Sequence, residues 1–164
     1  MLAAVAGLPT TLQHASRLDW PEAILLAQGA ASIYVLGRGP GLPIAAETAL
    51  KLKETCAIHA EAHSLAEVMH GPLELLGQQF PVLAYCPDDQ ALASARAAVT
   101  RVEATGARVL VAGPGGLPFA ATGHPMLDPI AMLQTAYRWS EATARARGRD
   151  PDQPRHLQKV TETL

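Results

Sequence analysis

The sequence predicts an α/β fold, a three-layer α-β-α sandwich around a parallel sheet of about five strands. Three features of the chain carry this expectation. Short apolar runs alternate with longer stretches of helix formers, the runs are apolar nearly throughout, and glycine or proline follows most of them. A strand that is apolar on both faces must be covered on both faces, which a parallel sheet between two helical layers achieves.

Residues 11–28 read as an amphipathic helix with Leu12, Ala15, Leu18, Ala23 and Leu26 turned inward, and Pro21 marks a break or restart. The apolar run 2–8 is short and has no basic flank, so it does not fit a signal peptide. Residues 32–36 form a buried strand, stopped by Gly37-Arg-Gly-Pro-Gly41. Pro43 suits a first helical turn, and 44–55 are helix formers almost throughout. A short extended piece near 58–63 adds a possible strand. Residues 80–86 are the next strand, with 87–89 as turn and cap, and 90–105 an Ala-rich helix that Gly106 ends. Residues 108–112 are another strand, again followed by glycines. A weak strand at 124–127 and a long helix at 129–145 complete the expected set. The organisation expected is an N-terminal helical segment (1–30), the α/β domain (31–147) and a polar tail (148–164) with Pro151 and Pro154.

Composition narrows the function. The chain has 164 residues, 49% of them hydrophobic and 4% aromatic, so the expected core is Ala, Leu, Val and Ile. With a net charge of −2 and 17% charged residues, a nucleic-acid face or a polybasic membrane patch is not expected. No stretch approaches the roughly 18 apolar residues of a membrane span. Cys56 and Cys86 cannot make a four-ligand zinc site alone, and nothing points to an oxidising compartment. A cytoplasmic domain without metal or other cofactor is the expectation.

Three groups of residues could carry chemistry. Gly37, Gly39 and Gly41 stand where a strand feeds a helix, so the loop is either a tight turn or a ligand-facing loop that draws an anion to the helix N-terminus. The spacing is not that of a dinucleotide fingerprint, and Pro40 removes a backbone donor. Glu47, Lys51 and Glu54 stand at i, i+4 and i+7 and project from one side of a helix. They are either a solvated ion-pair row or a site in which the lysine favours two ionised carboxylates, one able to act as a base toward a carbon acid. His59, Glu61 and His63 alternate on one strand face, a pattern better suited to structural histidines than to a metal site. His70 precedes Gly71-Pro72, so its ring is expected on a loop, placed for proton transfer.

Five motifs in register resemble one family: Leu36-Gly-Arg-Gly39, Ala46-Glu-Thr-Ala-Leu-Lys-Leu-Lys-Glu54, Ile58-His-Ala-Glu-Ala62, Glu67-Val-Met-His-Gly-Pro72 and Asp152-Gln-Pro-Arg155. The chain resembles the sugar-isomerase (SIS) domains, in particular the C-terminal SIS half of glucosamine-6-phosphate synthases and their two-SIS relatives. The resemblance implies a flavodoxin-like fold and a phosphosugar substrate, with no cofactor. It also implies a homo-oligomer or pairing with a second SIS half. Glu54 matches the glutamate that moves a proton between C1 and C2 of the open-chain sugar phosphate. His70 matches a ring-opening histidine contributed by a neighbouring subunit. Lys51 and Glu47 match companions of that glutamate, Lys159 matches a tail lysine that approaches the sugar carbonyl, and Gly37, Arg38 and Gly39 fall at the substrate-binding loop.

Departures from the pattern qualify this reading. Serines stand isolated at Ser16, Ser32, Ser64, Ser94 and Ser140, so the Ser/Thr-rich phosphate loop of the other SIS half is not in this chain. The chain alone is therefore expected to show little turnover. Position 2 is Leu2, not a cysteine nucleophile, so glutamine-dependent amino transfer is not expected. Thr48 replaces a smaller residue and is expected to narrow the room beside Glu54, and the ending 160–164 differs from the usual one. Aldose–ketose isomerisation is the first reading, with amino-sugar-phosphate deamination as the alternative. A phosphosugar sensor has no need for Glu54, and a purely structural dimerisation domain leaves the charged helix face unexplained.

Overall fold

Strand β1 (Ser32–Gly37) forms the centre of the architecture, and the computed structural model describes residues 1–157 around it. Ahead of β1 come α1 (Leu2–Ala15) and α2 (Pro21–Ala27). After it follow α3 (Gly41–Cys56), β2 (His59–Ser64), two 3₁₀ turns (Glu67–Met69 and Gly71–Leu75), β3 (Pro81–Tyr85), α4 (Leu92–Glu103), β4 (Arg108–Ala112) and α5 (Asp128–Ala146). The strands pair in parallel in the order β2-β1-β3-β4, with Tyr34 opposite Glu61 on one side and Val82 on the other. This is the predicted α/β sandwich.

Alternation along the strands sorts the core into two layers. Ile33, Val35, Leu83, Tyr85 and Ala112 face α2, α3 and α5. Tyr34, Leu36, Val82 and Ala84 face α4 and the 3₁₀ segment, which contributes Val68, Leu73 and Leu76. The first layer holds both tryptophans: Trp20 lies 6.2 Å from Trp139 and 6.5 Å from Tyr85, ring centre to ring centre, and its indole N–H donates to the Pro118 carbonyl at 2.8 Å. Trp20, Trp139, Tyr34 and Tyr85 thus sit within a core expected to be aliphatic. Large rings fill space between helices whose own inward residues are mostly alanine.

Local chemistry explains the element ends. Gly37 closes β1 so tightly against α3 that a Cβ would collide with the Gly41 carbonyl. Gly113, with φ 150°, abuts the Cys86 carbonyl where β4 ends beside β3. At the end of α3, Ala57 adopts a left-handed conformation (φ 50°), a position that ordinarily takes glycine.

Two expectations need correction. The first helix starts at Leu2 rather than at residue 11 and ends at Ala15, while α2 begins at Pro21, where the restart is expected. Residues 124–127 form a turn, so the sheet has four strands among the described residues. Buried Asp128 is the reason: its Oδ1 accepts bonds from the Thr122 N–H and hydroxyl, each at 2.7 Å, and the Thr122 hydroxyl oxygen in turn accepts the His124 N–H at 3.2 Å. That network folds the segment back onto the start of α5. A single parallel bridge, Ala112 to Leu117, extends the sheet at β4 instead. No helix among the described residues is long and apolar enough to cross a membrane.

Candidate functional site

Helix α3 buries Ile44, Ala45, Thr48, Ala49 and Leu52 and turns Glu47, Lys51 and Glu54 outward on one side. Lys51 Nζ donates to Glu54 Oε2 at 2.6 Å and lies 3.7 Å from Glu47 Oε1. Each of the three side chains is 32% exposed, so the row is shielded from bulk water without being dry. The Tyr137 hydroxyl of α5 donates to Glu47 Oε1 at 3.1 Å, closing the row from the neighbouring helix.

The electrostatics follow from these contacts. The bond to Glu54 holds the Lys51 ammonium above its ordinary pKa; partial burial works against it, and the charges of Glu54 and Glu47 add to the rise. Burial raises the Tyr137 phenol, and its bond to Glu47 raises it further. Both groups therefore keep their protons at neutral pH. Thr48 does not narrow the space beside Glu54: it points into the core and shares a 2.8 Å hydrogen bond with buried Tyr85.

Glu54 also opens onto a cavity of about 250 Å³ lined by Lys53, Ala57, Arg149, Arg155 and His156 among others. The first part of the polar tail thus lies against the end of α3. Arg147 anchors this corner: its Nε donates to the Cys56 carbonyl at 2.9 Å, and its Nη1 lies within bonding distance of the carbonyls of Gln28 (2.7 Å), Ala30 (3.0 Å) and Ala27 (3.2 Å). One guanidinium ties the end of α3 to the end of α2 and the approach to β1.

One chain does not bring all the predicted residues together. His70 is exposed between the two 3₁₀ turns, and its hydrogen bonds there are backbone ones, with Glu67 and Leu73. Its segment covers the face of the sheet opposite α3. Gly37, Arg38 and Gly39 sit at the other end of α3: Glu54 lies thirteen residues beyond Gly41, about 20 Å along the axis at 1.5 Å per residue. In that loop the Gly41 N–H donates to the Arg38 carbonyl at 3.0 Å and the Leu42 N–H to the Gly39 carbonyl at 3.1 Å. Lys159 lies outside the described residues. On β2, the Glu61 carboxylate stands between His59 (3.8 Å) and His63 (3.3 Å), within hydrogen-bond distance of the His63 ring.

Tyr137 and Arg147 were missed from sequence. Their partners Glu47 and Cys56 lie 90 and 91 residues away, so no local spacing announces them.

The comparisons with known proteins agree with this architecture. The glutamine–fructose-6-phosphate aminotransferase (isomerizing) of Neisseria meningitidis serogroup B is 38% identical over 169 residues, covering 93% of this chain and 27% of that protein. A crystal structure from Silicibacter pomeroyi, assigned as a candidate phosphosugar isomerase, superposes with a TM-score of 0.85 at 40% identity over 92% of this chain and 47% of that one. The C-terminal domain of glucosamine-fructose-6-phosphate aminotransferase from Francisella tularensis superposes with a TM-score of 0.69 at 26% identity, covering 91% of this chain and 42% of that one. The chain thus spans about a quarter of its curated relative and under half of each solved structure. The SIS domain family model matches residues 26–112, more than half of the sequence, and the chain belongs to the SIS domain family.

Proposed function

We propose that this domain supplies the acid–base residues for aldose–ketose isomerisation of a hexose 6-phosphate, within a site that a second SIS half completes. The observation that carries this reading is the Glu47–Lys51–Glu54 row, closed by Tyr137 and adjoining a cavity at Glu54. Isomerisation through an enediol needs one base that takes a proton from one carbon and returns it to its neighbour. Glu54 is that base, accepting the proton from C1 of the open-chain ketose and delivering it to C2. Lys51 stays charged and orients the carboxylate, and Glu47 with Tyr137 holds Lys51 from behind. His70 serves the site of a neighbouring subunit, in keeping with its exposure and its place on the opposite face. Lys159 polarises the carbonyl, a role suited to a cation. The phosphate anchor comes from the partner half, because this chain has no Ser/Thr-rich loop.

The test is incorporation of solvent deuterium at C1 of fructose 6-phosphate, followed by NMR on the domain assembled with its phosphate-binding half. Glu54→Gln is expected to slow incorporation by about 10²–10⁴-fold. Equal rates in variant and wild type would remove Glu54 from the chemistry. Ammonia released from glucosamine 6-phosphate without ketose–aldose exchange would instead favour the deaminase.

A further inference from the structure

The strand order reverses between β1 and β3. From β1 the chain moves outward to β2, then returns to place β3 on the other side. The loop leaving β1 enters α3 on one face and the loop leaving β3 leads to α4 on the other, so the two diverge and leave a crevice, the usual ligand position in open α/β sheets. A cavity of about 490 Å³ occupies that crevice here, lined by Gly39 and Pro40 after β1, by Asp89 to Ala91 after β3, and by His124 to Met126 before α5. Its size suits a small molecule. It adjoins the start of α3, a helix length from Glu54, so it is not part of the row described above.

The lining argues against an anion. Pro40 and Pro43 have no N–H, and those of Gly41 and Leu42 are already bonded within the turn, so residues 40–43 offer no free donor. No lysine or arginine lines the cavity, whereas the Asp89 carboxylate does. Asp89 Oδ1 accepts the Ala91 N–H at 2.8 Å. Its Oδ2 accepts no bond among the described residues and faces Gly39 across the crevice, 3.8 Å from where a Cβ would stand. His124 Nδ1 accepts the Met126 N–H at 3.3 Å, so the neutral ring carries its proton on Nε2 as a donor. Gln90 adds one further polar side chain, and Pro40, Ala91, Pro125 and Met126 make the apolar walls.

We propose that this crevice is a second binding site, for an unphosphorylated ring bearing vicinal hydroxyls, held by the Asp89 carboxylate and the His124 imidazole. The hydroxyls donate to Asp89 Oδ2 and accept from His124 Nε2, while the apolar face of the ring lies on the prolines and Met126. A free sugar and a nucleoside both offer this chemistry. A phosphate would sit beside a carboxylate with no cation to offset it.

The test is NMR titration of the whole chain with glucose, glucosamine and adenosine, and separately with glucose 6-phosphate and inorganic phosphate. At least one unphosphorylated probe is expected to move the Gly39, Ala91 and Met126 resonances together, and its identity separates sugar from nucleoside. Asp89→Asn, which keeps the acceptor for Ala91, is expected to weaken that probe about tenfold. Ala91→Leu, which intrudes on the cavity wall between Asp89 and the apolar face, is expected to weaken binding at least tenfold. The proposal falls if no unphosphorylated probe moves these resonances up to about 20 mM, a limit that reaches weaker than millimolar affinity. It falls equally if the phosphorylated probes bind as well, or if Ala91→Leu leaves the response intact.

Discussion

Arg147 holds the end of α3 in place from a distance. It bridges carbonyls at Cys56, Ala27, Gln28 and Ala30, which end α3 and α2 or lead into β1. Bonds to a charged donor are stronger than neutral ones, and removing it leaves carbonyls without a partner. Arg147→Ala is expected to lower unfolding free energy by about 3 kcal/mol in a urea melt, and lysine should restore little of it, because a single ammonium lacks the planar fork. Ala57 has the opposite character. Its left-handed backbone (φ 50°) strains a residue with a Cβ beside the Glu54 cavity. Ala57→Gly should raise stability by about 0.5–1 kcal/mol, read in the same melts. At this scale the Glu47, Lys51 and Glu54 row was legible, because 100° per residue is a property of any helix. Tyr137 was not, because what it meets depends on how α5 lies against α3.

Strands β1, β3 and β4 were legible as elements because a strand covered on both faces must be apolar at every position. Strand β2 was harder: it lies at the sheet edge and keeps polar His59, Glu61 and His63 on its open side. Helix α1 was misjudged at its start, since an apolar run at 2–8 and Pro9 inside the helix obscured the period. Only its far end is anchored, by buried Ala15, whose carbonyl accepts a 3.1 Å bond from Thr135. The most constrained junction is the β1–α3 turn. Gly37→Ala forces a Cβ against the Gly41 carbonyl and is expected to cost about 2–3 kcal/mol. Scanning calorimetry should then show a melting temperature lower by about 5–10 °C for a chain of this size.

For the molecule as a whole, the resolved pKa shifts at Cys56, Cys86, Tyr34, Tyr85, Tyr137 and Lys51 all point upward. Burial pushes the Cys86 thiol up to about 11, against the opposing pull of Arg96. Burial likewise raises Cys56, Tyr85 and Tyr34, and the bond to Glu54 raises Lys51. A group raised in the folded state contributes stability below its ordinary value and loses it as pH climbs through the folded value. Above the ordinary thiol value of 9.0 the unfolded chain ionises first, so urea midpoints should fall between pH 9 and about 11. The same burial predicts that iodoacetamide at about pH 8 leaves both cysteines unmodified in the native chain and labels both in urea.

The amino-acid sequence by itself determined the fold class, most of the elements, and the charged row on α3. Those depend on rules that act within a few residues: hydrophobic period, glycine and proline punctuation, and helical spacing. The tertiary structure alone decided that Thr48 points inward, that residues 124–127 turn instead of pairing, and that His70 and Glu54 lie on opposite faces of one sheet. It also decided that Tyr137 and Arg147 close on α3, and that a crevice of about 490 Å³ opens at the reversal of strand order. Each of these follows from packing between segments far apart in the chain, where side-chain volume and backbone hydrogen bonding must be satisfied together.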